Sequence, residues 1–437
     1  MRLNSLFIII LFGIIFTMNG CTKHSSKFDV FVSNFIETTF ELEPTFAVNM
    51  GRHEFDGQLP DWSKEGITKH VEFLKDSCFK TMEFEDKNLS KIQRFDKKYL
   101  LAVIDEQLFS KEWARLPFTN PVYYEAIGPD VYLSREYASI EKRMIAYSVY
   151  ANNVPVAVEQ IIENMVTPLP RTFAEVGKQI SHGLADHMKN GVPGIFSSVD
   201  DPKLQSEFSI ANGIATAAMK KLGDWYEFQI EKATDDFALG EELYKKMLWM
   251  TERVDTPLDE LEAIALADLD RNTKDLANAC EEFAPGKSIT DCVAKAQADK
   301  PEGGAVEGAR AQLSDLKQFL LDNDLVSIPG DEESLVGEAP PYNRWNFAYI
   351  EIPGPYEKAM ERTFQGRPGS LNLEGWSQFW ACEEPVAVVG AQICPSSSPS
   401  VVCLGQECTD RSQSLPQRPW TVPFQAGLDL SLGGLET

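Results

Sequence analysis

From residue 28 to residue 321 the chain repeats one pattern: a helix start, then apolar residues at a period of 3.6. A chain built this way is confined to a mainly α fold, because each apolar stripe has to be covered by another helix. Ser90 and Gln93 form a capping box ahead of Ile92, Phe95, Tyr99 and Val103. Thr172 and Glu175 repeat it ahead of Phe173, Val176, Ile180 and Leu184. Asp201-Pro202 opens a long helix that passes through Phe208, Met219, Trp225 and Phe228 to Ile230. Thr256-Pro257 opens another, with Leu258, Leu261, Ala265, Leu269, Leu276 and Cys280 on one face. Residues 28–42 carry Phe31, Phe35 and Phe40, and residues 309–321 make the last helix. All of these stripes are expected to be core.

One stretch breaks the pattern. Residues 339–356 read APPYNRWNFAYIEIPGPY. Trp345, Phe347 and Tyr349 alternate with Arg344, Asn346 and Ala348, and prolines close both ends. A period of two with aromatics on one face predicts a short strand over 344–352. Near Phe364 the character changes again. No Lys occurs after Gly366, four of the eight Cys crowd into this part, and no amphipathic period survives. Residues 365–437 are therefore expected to be an irregular tail, either a Ser/Pro-rich flexible segment or, the expectation here, non-native sequence from a frameshift, a wrong splice or a truncated gene read into an unrelated frame.

The net charge of −25 disfavours nucleic acid and anionic lipid head groups as partners, and no Lys/Arg-rich run offsets it. Arg2 precedes an apolar run at residues 6–16, too short for a comfortable span and typical of a secretory signal. It ends in Gly20-Cys21, a small residue directly before Cys, as in a bacterial lipobox. Residues 1–21 then form a lipoprotein signal peptide, Cys21 is the acylated N-terminus, and residues 22–27 are a polar tether to the membrane. Thr22, rather than Asp, directs the expectation to the outer membrane.

Cys280 and Cys292 flank a Pro-Gly turn between two helical runs. They either form a disulfide, worth about 3 kcal/mol in the loop-entropy model, or stand as two buried thiols on apolar faces; the thiol pair is the expectation. His53-Glu54 lacks a second His at position 57, so this stretch reads as a structural turn. His182 and His187 stand about 140° apart around one helix and do not share a metal. His187 is expected to be packed. No nucleophile elbow, Walker loop or dinucleotide fingerprint occurs.

Four segments in order resemble the bacterial family called domain of unknown function 885. They are PTFAVNMGRHEFDGQLPDWS (44–63), FTNPVYYEAIGPDVYLSREY (118–137), FALGEELYKKML (237–248) and DLVSIPG…APPYNRWNFAYIEIPGPYEK (324–358). The resemblance covers roughly residues 28–364. It implies an exported, largely helical protein, often a lipoprotein, related to zincin metallopeptidases that cleave peptides. The family's zinc site is a His-Glu-x-x-Pro-Gly-His helix following the strand that corresponds to 344–352. Arg344 and Tyr349 are by that resemblance cleft residues for an extended peptide, or equally a strand packed on helices. No His follows His187 here. Neither metal ligand nor catalytic Glu can therefore be carried over, and no zinc is expected. The domain over 28–364 reads as incomplete before its zinc motif, and the protein as an inactive envelope member or an anchored binding scaffold.

Overall fold

The computed structural model describes residues 26–298, 303–327, 336 and 354–357. Cys21, Arg344, Tyr349, the expected strand over 344–352 and the expected tail over 365–437 lie outside the described residues. Among the described residues ten helices have ten or more residues, and the one β contact is an isolated bridge between Pro170 and Thr234. The fold is mainly α.

The first helices are α1 (Lys27–Leu42), α2 (Lys64–Glu83) and α3 (Lys91–Leu108). A π-helical turn, Phe109–Trp113, ends α3. The long central helices are α4 (Ile140–Asn164), α5 (Arg171–Asn190) and α6 (Pro202–Ile230). Then come α7 (Glu241–Glu252), α8 (Leu258–Phe283), α9 (Ile289–Ala298) and α10 (Gly304–Asp322). None of the described helices is long and apolar enough to cross a membrane.

The main core lies where α6 packs along α4 and α5. Ala211, Ala215 and Ala218 let α6 approach closely, and the space is filled by Tyr147, Tyr150, Phe196, Phe208 and Tyr226. Buried phenols need partners. Tyr147 donates to Asn212 Oδ1 (2.6 Å), whose amide donates to the Met188 carbonyl (2.8 Å). A second, smaller core joins Phe35 of α1, Leu74 of α2 and Leu100, Ile104 and Leu108 of α3. A disulfide joins Cys280 to Cys292, with Cα atoms 5.7 Å apart, and Ala284 completes a small cluster between α8 and α9.

Several starts match the sequence reading. Ser90 and Gln93 bond reciprocally, and Asp201 accepts from Lys203 N and Leu204 N ahead of Pro202. Others do not. Pro170 precedes α5, so Thr172 lies inside the helix and caps nothing; Pro257, not Thr256, is the residue before α8. The larger corrections concern faces. Ile92 and Phe95, expected in the core, are 67% and 60% exposed, because α3 turns Leu100, Ile104 and Leu108 inward. Along α8 only Cys280 is buried, while Leu269 and Leu276 face outward.

Candidate functional site

The stretch 44–56 leaves α1 through a short helix, Pro44–Asn49, with Pro44 in its first turn. Gly51 then adopts φ +90°, and a 3-10 turn follows over His53–Phe55. Residues 354–357 lie directly on this turn. Tyr356 N–H donates to the Met50 carbonyl at 2.9 Å. Two glycines permit so close an approach of two backbones. A Cβ on Gly354 would sit 2.2 Å from the Met50 carbonyl carbon, and one on Gly51 would sit 2.5 Å from Glu357 N.

Side chains lock the contact. The Tyr356 ring meets Phe40 edge-on at 5.8 Å. The Arg52 guanidinium lies 5.0 Å from the Phe40 ring and 5.5 Å from that of Tyr356. Two parallel bonds to Glu37 (2.8 and 3.0 Å) and one to Glu54 (2.6 Å) hold it there. The Arg52 bond holds the Glu37 carboxyl below its ordinary pKa.

His53 is the hub. Its Nδ1 bonds Asp56 Oδ1 at 3.0 Å and its Nε2 bonds Glu357 Oε2 at 3.1 Å. Its ring stacks on Tyr137 at 3.6 Å, nearly parallel, and Tyr137 OH donates to the other Asp56 oxygen at 3.0 Å. The Glu357 side chain is only 3% exposed, so its charge needs this partner. Burial on its own would lower the His53 pKa, but the bonds to Asp56 and Glu357 outweigh it and raise the pKa to about 9. At neutral pH both ring nitrogens therefore carry protons and both donate. Burial first, and the Asp56 charge second, push the Tyr137 phenol up, so it stays a neutral donor. Both ring nitrogens are engaged by carboxylates. The arrangement is a clamp that joins residues 354–357 to the helical body.

Two further clusters hold ionisable groups. Glu43, Lys111 and His70 meet behind the same turn: Glu43 Oε1 is 3.1 Å from His70 Nδ1 and 3.3 Å from Lys111 Nζ. Lys111 is 9% exposed and sits on the π turn. Burial lowers the His70 pKa, leaving a neutral ring. Burial would raise Glu43, yet Lys111 and His70 outweigh it, and the carboxylate stays charged. This is a buried ion pair with a neutral His beside it. On the other side of the molecule, His182 of α5 faces Asp224 and Glu227 of α6, with ligand atoms within 4.8 Å of one another. Both carboxylates already pair with lysines, Asp224 with Lys220 (2.6 Å) and Glu227 with Lys178 (2.7 Å). One partly buried imidazole with two lysine-paired carboxylates does not fit the two-His zinc site that the resemblance implies. His187 is half-buried, and burial lowers its pKa, as expected of a packed ring.

His53 was visible in the sequence only as a metal motif that fails. Its partner Glu357 lies 304 residues away, and no local pattern announces the pair. Lys111 follows Leu108-Phe109-Ser110 and carries no motif either.

Comparison with known proteins places the chain. A solved structure described as "a putative lipoprotein of unknown function from Shewanella oneidensis" is similar in fold, with a TM-score of 0.59 and 20% identity. The similarity covers 77% of this chain and 63% of that one, so this chain spans less than two thirds of its relative. No curated protein matches. The family model described as "Bacterial protein of unknown function (DUF885)" matches residues 44–380, from the start of the clamp turn to beyond Phe364. With four ordered motifs, a shared helical fold and a match over most of its length, this chain belongs to the DUF885 family of bacterial proteins.

Proposed function

We propose that this protein is an envelope lipoprotein of the DUF885 family, anchored through Cys21, that does not itself hydrolyse peptides. Its helical body holds Gly354–Glu357, which in sequence closely follow the stretch that the resemblance gives to the cleft strand of zincin-like peptidases. One observation supports this reading: the clamp of His53, Asp56 and Glu357 holds residues 354–357, just past the expected cleft strand in sequence, against the helices. All five His precede residue 188, and the four in the described residues serve packing, hydrogen bonds or ion pairs rather than a two-His site.

The test has two parts. Mass spectrometry of the mature N-terminus is expected to find an acylated Cys21; a free α-amino group on an earlier residue would remove the anchor. Incubation with a mixed peptide library and added zinc is expected to yield no cleavage. Cleavage that a chelator abolishes would overturn the non-catalytic reading. A second reading, a peptidase whose catalytic segment is encoded in another frame, is decided by the gene around codons 355–370. A frame continuing into His-Glu-x-x-Pro-Gly-His would establish it.

A further inference from the structure

The stripe that should have been core defines a surface. Ile92 and Phe95 on the first turns of α3 are 67% and 60% exposed; Phe79 and Met82 on the last turns of α2 are 61% and 58% exposed. The structure gathers these turns at the end of the molecule where α1 begins. Gln93 donates to Ser26 Oγ and to Asp29 Oδ1, both at 2.7 Å. Phe84, just after α2, meets the rings of Phe28 (5.2 Å) and Phe31 (5.4 Å).

We infer that this end of the helical body lies on the lipid surface, with Phe79, Met82, Ile92 and Phe95 seated at the head-group boundary. The inference rests on the proposed acylation of Cys21 and adds an orientation to it. Cys21 is five residues before Ser26. Five residues of any conformation reach at most ~18 Å, so the anchor keeps this end near the bilayer. Charge points the same way. Lys27, Asp29 and residues 76–99 together carry seven Lys and Arg against six carboxylates, near balance in a chain of −25. Lys91 and Lys98 are exposed beside the apolar stripe. Apolar side chains rimmed by lysines suit an anionic membrane surface, and the acidic remainder of the chain is repelled from it. Seating of this kind reaches ~5–10 Å deep. Trp113 lies past the far end of α3. Trp249 precedes Arg253, which pairs with Asp105 in the last turn of α3. Asp105 is thirteen residues, or about 20 Å, along α3 from Ile92. Those two exposed indoles therefore remain in water.

Hydroxyl-radical footprinting of the full acylated chain on vesicles of phosphatidylcholine with phosphatidylglycerol, at high lipid-to-protein ratio, tests this. Each oxidation rate is divided by the intrinsic reactivity of its residue type. Phe79, Met82, Ile92 and Phe95 are expected to oxidise severalfold more slowly than Trp113 and Trp249, and to stay protected when the chains are diluted over more vesicles. Equal rates on an acylated chain overturn the orientation and leave the anchor standing. Protection that disappears on dilution assigns the patch to a second copy and also overturns it. An unacylated Cys21 in the same sample removes the anchor, and the orientation with it.

Discussion

Replacing His53 by Gln removes the charge of the clamp while leaving a side chain able to hydrogen-bond. Its size follows from the site. Raising the imidazole from 6.5 to about 9 corresponds to on the order of 3 kcal/mol favouring the protonated, clamped form. The His53 side chain is 24% exposed and that of Glu357 3%, so solvent screens little of it. The sign is that of a group whose folded pKa is raised. Its contribution is complete below pH 6.5, mostly retained at pH 7, and lost as pH rises through 9. Hydrogen exchange at the Tyr356 amide reads the clamp directly, because that N–H donates to Met50 O. Comparing wild type with His53→Gln at each pH cancels the intrinsic pH dependence of exchange. The variant is expected to exchange on the order of a hundredfold faster at pH 6 to 7, the factor that about 3 kcal/mol sets. The ratio then falls toward one above pH 9.5. A ratio that stays constant from pH 6 to 10 would refute the assignment of a charged His53, and equal exchange at pH 7 would refute the clamp itself.

Other perturbations follow from the same geometry. Gly354→Ala places a Cβ 2.2 Å from the Met50 backbone and is expected to abolish protection of the Tyr356 amide while the main core melts unchanged; retained protection contradicts the backbone contact. Lys111→Met leaves the buried Glu43 carboxylate without its cation, and a loss of about 3–5 kcal/mol in urea unfolding is expected. Adding Glu43→Gln should recover part of that loss, and an additive double variant would show that the two groups do not interact. Reducing the Cys280–Cys292 bridge is expected to weaken the α8–α9 hairpin by about 3 kcal/mol, seen as faster amide exchange there and not around Tyr147. A global drop in stability of that size would mean that the hairpin supports the main core.

Some helix starts were legible in the sequence from local capping chemistry, although Thr172 with Glu175 shows the same pattern inside a helix that begins at Arg171. Ser90 with Gln93, and Asp201 with Pro202, act within four residues. Which face of a helix is buried is not local. The helix α3 carries two apolar stripes, and packing against α1, α2 and α7 selects Leu100, Ile104 and Leu108 over Ile92 and Phe95. Residues along α8 form a clean stripe too, yet among the described residues only α9 covers its Cys280 end. The site shows the same division. The turn character of residues 44–63 was readable from Gly, Pro and Asp. The meaning of His53 depends on Tyr137 and Glu357, which arrive from distant parts of the chain. Family membership was readable because four motifs in order carry more information than any one of them.

We propose that this chain holds the DUF885 helical body and its clamp without the two-His zinc site that the resemblance to zincin-like peptidases implies. Metal analysis of the purified, acylated chain, by inductively coupled plasma mass spectrometry after exhaustive dialysis, tests this most directly. Zinc well below one atom per chain is the expected result. One tightly held zinc per chain, retained through dialysis, would contradict the claim.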